Sequence, residues 1–237
     1  MKVYLLKYTP DPELVVAKAA KVCYSRLSGE GLLGEIDKEE VRRLIRMLWN
    51  RGHLSVFEHA SFTFSISGVS RALTHQLVRH RIASYSQKSQ RYVDEQKFEY
   101  VVPPSVIKDP DARVRFQALM EEIRACYENL IKAGIAREDA RYVLPNACET
   151  SIVATFNARS LHNFFRLRCC FKAQWEIRRL AYRMLSQVKR VAPTLFENAG
   201  PPCISEGICH EGIHSCGRIL RVKIAREGAR LERVEGN

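Results

Sequence analysis

Apolar and polar residues alternate without a break over 60–67, Ala-Ser-Phe-Thr-Phe-Ser-Ile-Ser. Phe62, Phe64 and Ile66 face one way, and Ser61, Thr63 and Ser65 the other. A period of two with one apolar side predicts a half-buried strand. The same signal, weaker, marks residues 2–8, 98–102 (ended by Pro103-Pro104) and 150–157 as strands. Between them the period lengthens to that of a helix. Val41, Leu44, Ile45 and Leu48 fall on one face of a helix over 38–51. Asp37 and Glu40 stand at capping-box spacing before it, and Gly52 stops it. Pro12 opens an earlier helix, as proline does at a first helical position. Further helices are predicted from Val69 to about His80 and over 106–133, 137–143, 158–168 and 172–191. Residues 82–97 lose both periods and predict a polar loop. The expected fold is α+β: a helix-rich single domain mixing helices with an antiparallel sheet, not a regular βαβ array.

From Asn198 glycine, proline, cysteine and histidine replace periodicity. The expected organisation is therefore a body over 1–197 and a Cys/His-containing tail over 198–237, charged and prone to fray from Arg218. No apolar run reaches the roughly 20 residues of a membrane helix, and the N-terminus lacks a signal-peptide core, so a cytoplasmic protein with no membrane partner is expected. The chain of 237 residues is 46% hydrophobic, which excludes disorder and collagen-like repeats. It carries 38 basic against 26 acidic residues, a formal net charge of +12, and so invites an anionic partner. Eight cysteines without a secretory signal suggest thiols or a metal before disulfides.

A basic and polar constellation stands over 76–92, Gln-Leu-Val-Arg-His-Arg-Ile-Ala-Ser-Tyr-Ser-Gln-Lys-Ser-Gln-Arg-Tyr. Adjacent residues on a helix point about 100° apart, so Arg79, His80 and Arg81 cannot share one solvated face. The hydroxyl, amide and guanidinium groups that follow suit a phosphate and the edge of a heterocycle. By residue type alone, a solvated basic turn is an equal reading.

The order of these residues says more. Arg79-His80-Arg81, Ser84, Ser89 and Arg91 keep the spacing Arg-His-Arg-x2-Ser-x4-Ser-x-Arg, and this resembles the signature of the flavin-dependent thymidylate synthases, the ThyX family. The likeness extends to Gly52-His53-Leu54-Ser55-Val56-Phe57-Glu58-His59, to Ala140-Arg141-Tyr142-Val143-Leu144-Pro145, to Asn157-Ala158-Arg159-Ser160-Leu161 with Asn163, Phe164 and Arg168, and to Ala173-Gln174-Trp175-Glu176-Ile177. It covers roughly residues 10–195 and not the tail. The resemblance implies reductive methylation of dUMP to dTMP. Methylenetetrahydrofolate is then the carbon donor, FAD reduced by NADPH the electron source, and tetrahydrofolate a product. It also implies a homotetramer whose active sites draw on several subunits.

Carried over by position, Gln76, Arg79, Gln87, Ser89, Gln90, Arg91 and Arg141 would bind dUMP, with Arg91 and Arg141 toward its phosphate. His53, Ser55, Arg79, His80, Arg81, Gln87, Asn157, Arg159 and Asn163 would bind FAD. Arg168 would face the uracil as the catalytic group, stabilising charge on the ring as an oxyanion-hole donor does. Ser86-Gln87 replaces an Asn-Glu pair common in the family, which leaves a neutral group at Gln87. Plainer readings stand beside these. Arg141 can be a helix-end arginine and Asn157 a helix cap, Glu58 and Glu176 can be partners of arginines, and Trp175 a core residue.

Two rival functions remain open at this stage. One is a basic nucleic-acid-binding protein without catalysis, although no helix-turn-helix, zinc-finger or RRM pattern is present and nucleic acid is not the expected partner. The other is a cysteine-nucleophile thymidylate synthase acting through Cys169 or Cys170. In the tail, Cys203, Cys209, His214 and Cys216, with His210 adjacent to Cys209, are weak candidates for a structural zinc site. Their types suit the ion, but the Cys-x2-Cys knuckle is missing.

Overall fold

The computed structural model describes residues 1–24, 29–32 and 34–220. Four strands, β1 (Lys2–Tyr8), β2 (Ser61–Ser70), β3 (Ala83–Gln87) and β4 (Glu149–Asn157), form one sheet in the order β1-β2-β4-β3. Nine α-helical segments accompany them among the described residues: α1 (Pro12–Tyr24), α2 (Lys38–Asn50), α3 (Arg71–Leu77), α4 (Pro104–Lys108), α5 (Pro110–Lys132), α6 (Arg137–Ala140), α7 (Ala158–Arg168), α8 (Trp175–Val191) and α9 (Pro202–Ser205). The helix-rich α+β class expected from periodicity is the one observed. No helix among the described residues is long and apolar enough to cross a membrane.

The alternation of β2 is real: Phe62, Phe64 and Ile66 are fully buried while Ser61 is exposed. β4 follows the same rule, burying Ile152, Ala154 and Phe156. The chain divides into two compact units, one of Met1–Val3 with Ser65–Ala154, the other of Tyr4–Phe64 with the chain from Thr155 onward. The division falls within β1, β2 and β4.

The first unit departs most from expectation. The predicted loop at 82–97 begins with the strand β3, which alternates half-buried Ala83, Tyr85 and Gln87 with exposed Ser84 and Ser86. Its inner residues are small or polar, so hydropathy missed the period that the backbone adopts. The predicted strand at 98–102 is a single antiparallel bridge between Tyr100 and Cys148. The helix expected to start at Val69 starts at Arg71, with the Ser70 hydroxyl accepting from the Leu73 amide at 3.0 Å. The long helix over 106–133 is two: Pro110 cannot extend a helix, and the Asp109 carboxylate caps the second by accepting from the Ala112 amide at 3.0 Å. Phe98, Met120 and Cys148 form this unit's core. The Arg124 guanidinium lies over the Phe98 and Tyr100 rings, 5.2 Å from each centroid, and donates to the Phe98 carbonyl at 2.6 Å.

In the second unit α7 packs on α8. The start of α8 at Trp175, later than the predicted 172, reflects Gln174, whose side-chain oxygen caps the helix by accepting from Glu176 and Ile177. Trp175 is half-buried, not a core residue. The core is aromatic and holds one polar ring. His162 is stacked on Phe196 at 5.1 Å and tilted against Trp49 at 4.5 Å, with Phe57 edge-on at 5.9 Å. Its Nε2–H donates to the Leu195 carbonyl at 2.9 Å. That leaves no solvent to stabilise a charged ring, and burial pushes the pKa of His162 down to about 4.

The unfolded chain binds a proton at His162 below about pH 6.5, while the folded chain resists it. Stability from this residue is therefore complete above that pH. It is lost as the pH falls toward 4, by up to about 1.4 kcal/mol per pH unit. Urea midpoints measured from pH 7 to pH 4.5 should fall more steeply for the wild type than for His162→Gln. Parallel profiles would contradict this account.

Candidate active site

In the second unit the flavin candidates stand where helices begin or end. The amide of Gly52 donates to the Trp49 carbonyl at 3.0 Å and that of His53 to Leu48 at 2.9 Å. This pairing closes α2 and requires the left-handed φ of +70° that Gly52 adopts. It throws His53 outward, exposed, ahead of a 3₁₀ turn over Ser55–His59. Asn157 ends β4 and caps α7, its Oδ1 accepting from the Ser160 amide at 2.8 Å. At the second residue of α7, Arg159 pairs with Glu58 at 2.6 Å, both side chains being about half exposed. Glu58 is thus the arginine partner that the plainer reading expected. His53, Ser55 and Arg159 line one cavity of about 360 Å³ with Leu54 and Val56. Arg159 and Leu54 also line an adjoining one with Asn163, His162 and Trp49. Asn157 lines neither. Arg168 is half-buried at the last position of α7.

The first unit holds the other candidates. After α3 the His80 amide bonds back to the Leu77 carbonyl at 3.1 Å. The Tyr85 hydroxyl lies 2.9 Å from the carbonyls of both Leu77 and His80, tying β3 to this turn. Burial raises the pKa of Tyr85, which keeps that donor protonated. Arg79 and Arg81 are exposed, and among the described residues neither guanidinium has a hydrogen bond or an ion pair. Gln76, on α3, reaches only the Ala72 carbonyl at 3.4 Å, and Gln90 the Cys148 thiol at 3.5 Å. The Ser89 hydroxyl accepts from the Arg91 amide at 3.2 Å, which shapes the turn. Arg91 and Arg141 converge on one residue. Arg91 Nε meets the Glu138 carboxylate at 2.5 Å, and Arg141 Nε donates to the Glu138 carbonyl at 3.0 Å. Arg141 therefore satisfies a helix-end carbonyl, as its plainer reading had it, and stands beside Arg91.

Gln87 is committed inward. Its Nε2 donates to Thr74 Oγ1 at 3.0 Å and to Thr150 Oγ1 at 3.3 Å, and both threonines are buried. Only its carbonyl oxygen is left for a ligand. Reading the sequence missed Thr74, Thr150, Lys88, Glu95 and Glu138. Their neighbours are set by pairing across the sheet and by turns, and single residues of ordinary type leave no periodic trace. Glu138, three residues before Arg141 in a helix start, left the one detectable signal.

The tail forms a cavity lined by Cys170, Cys203, Cys209 and Cys216 with Phe171, Pro202 and Arg218. Among the described residues no three His, Cys, Asp or Glu side chains are arranged to hold a metal ion. Cys209 points to the Ser215 hydroxyl at 3.4 Å, and His210 pairs with Glu206 at 3.3 Å. Burial pushes the Cys169 thiol up to about 12. A fully buried thiol kept protonated is a poor nucleophile, which counts against the first candidate of the cysteine mechanism.

Residues 4–194 match the family model described as thymidylate synthase complementing protein. Among curated relatives, the "Flavin-dependent thymidylate synthase" of Clostridium tetani is 52% identical over 239 residues, covering 94% of this chain and 96% of its own. The protein of the same name from Geobacter sulfurreducens is 51% identical over 94% of this chain and 97% of its own. That from Sulfolobus acidocaldarius is 47% identical over 86% and 78%.

The Gln87 bonds predict a folding phenotype separate from ligand binding. Gln87→Ala leaves two buried hydroxyls short of a donor and should cost about 1–3 kcal/mol in urea unfolding. A loss below about 0.5 kcal/mol, the level of an ordinary surface change, would show the bonds to be incidental.

Proposed function

The chain belongs to the flavin-dependent thymidylate synthase family, and on that premise we propose that it converts dUMP to dTMP in the cytoplasm with methylenetetrahydrofolate as carbon donor and NADPH as reductant. The observation that carries the substrate assignment is the convergence of Arg91 and Arg141 beside Ser89. Two guanidiniums that both bond to Glu138, one of them in the turn that carries the Ser89 hydroxyl, are the donor types that the phosphate of a nucleoside monophosphate requires. Gln76, Arg79, Gln90 and the Gln87 carbonyl oxygen complete the nucleotide contacts in this reading.

The donor set also fits FAD. A dinucleotide brings two phosphates and a heterocycle rich in acceptors. Among the described residues the Arg79 and Arg81 guanidiniums have no partner, and His53, Ser55, Arg159 and Asn163 line adjoining cavities. His80, the Gln87 carbonyl and Asn157 are the remaining assigned contacts. FAD, when bound and reduced, supplies the electrons that turn a methylene group into a methyl group. The protein's own part is to bind, orient and stabilise charge. Arg168 does the last of these, its guanidinium facing N3 and O2 of the uracil as electron density builds there, which makes C5 the better nucleophile. In this reading the assembly is a homotetramer in which several subunits share each active site. A net charge of +12 draws all three anionic ligands toward it.

Purified protein should take up FAD and turn yellow, with flavin fluorescence changed on binding. A colourless protein after FAD addition, or a fully active monomer by light scattering, would refute the reading. Arg168→Ala should keep the flavin yet lose about 10²–10³ in kcat, the effect of deleting one oxyanion-type donor. Near-normal turnover by that variant would remove Arg168 from the chemistry.

A further inference from the structure

Lys88 sits inside the basic motif, between Gln87 and Ser89, and by charge would count as one more phosphate ligand. The structure commits all three of its polar groups elsewhere. Its amide donates to the Ser151 carbonyl of β4 at 2.9 Å. Its carbonyl accepts from Arg71 Nη2 at 3.3 Å. Its Nζ meets both oxygens of Glu95, at 2.8 and 3.1 Å. The Glu95 side chain is only 3% exposed and that of Lys88 32%, so the carboxylate end of the pair is shielded from water and would be left buried without a partner if Lys88 were lost.

Between these residues the chain makes one turn, with Ser89 at its base. The Val93 amide donates to the Ser89 carbonyl at 3.0 Å and the Arg91 amide to the Ser89 hydroxyl at 3.2 Å. Residue 88 ties one end of that turn to β4 and residue 95 ties the other end to residue 88. Glu95 also lies near a second cation, the half-buried Arg71, whose Nε is buried with no hydrogen-bond partner among the described residues. We propose that Lys88 and Glu95 are positioning residues: their ion pair latches the turn 89–93 so that Ser89 and Arg91 meet the nucleotide phosphate already in place. The inference rests on the reading of this turn as the dUMP site. An unlatched turn must be ordered by the ligand itself, and that cost appears as weaker binding rather than slower chemistry.

The test is dUMP titration of FAD-loaded protein, followed by flavin absorbance, together with steady-state KM and kcat. Lys88→Met and Glu95→Gln should each weaken dUMP binding by about tenfold or more, with kcat at saturating dUMP within about threefold of wild type and FAD binding unchanged. The double variant should be little worse than either single one, because both break the same interaction. Lys88→Arg should restore most of the affinity. Wild-type dUMP affinity in folded Lys88→Met, or losses that add in the double variant, would overturn the latch. If Lys88→Met does not fold, Lys88→Arg and Glu95→Gln decide: equal affinities overturn it, and weakening in Glu95→Gln alone supports it. A wild type that binds FAD but not dUMP removes the premise and the latch together, and that failure shows in the wild-type titration alone.

Discussion

A polar group taken out of water must find a partner, and in the first unit this constraint separates scaffold from site. Thr74 and Thr150 are buried, so Gln87 turns its amide inward to serve them. Glu95 is buried, so Lys88 turns to it. Each such commitment withdraws a side chain that residue type alone would have assigned to a ligand. What remains outward is then informative. Arg79 and Arg81 have no partner for their guanidiniums among the described residues, and Arg91 keeps a partner that is half exposed. The second unit obeys the same rule. His162 is retained among Trp49, Phe57 and Phe196 only as a neutral ring bonded to the Leu195 carbonyl.

Much of the fold was legible because it rests on period and caps. β2 and β4 followed from strict alternation, α2 from its apolar face between Asp37 and Gly52, and α7 from the Asn157 cap. The misreadings share one cause, a local preference that hydropathy does not register. β3 was hidden because its inward residues are Ala83, Tyr85 and Gln87, held by hydrogen bonds and not by apolar burial. Pro110 divided a helix whose apolar pattern runs straight through it. Phe98–Val102 had the pattern of a strand but found one bridging partner, Cys148, at Tyr100.

The site was legible in a different way. The order of residues over 79–91 pointed to a family, and the family assigned the roles. The structure adds where the candidates lie, with the flavin candidates His80 and Arg81 in the same unit as most of the nucleotide candidates. Seven of the nucleotide candidates, from Gln76 to Arg141, lie in one unit. His53, Ser55, Asn157, Arg159, Asn163 and Arg168 lie in the other. Lys88, Glu95 and Glu138 hold no assigned role in the motif, yet Glu138 pairs with Arg91, and Lys88 and Glu95 pair with each other on either side of the turn that carries it.

Glu138 carries a consequence for how an anion would reach Arg91. Its carboxylate already occupies Arg91, so an arriving anion replaces a contact and does not simply add one. The existing pair is about half exposed and worth at most about 1 kcal/mol, which makes it cheap to open. On the proposed reading a dianionic phosphate displaces the carboxylate from Arg91 at little cost. The carboxylate is then a placeholder, which keeps the Arg91 guanidinium oriented in the empty protein and gives way to a stronger anion.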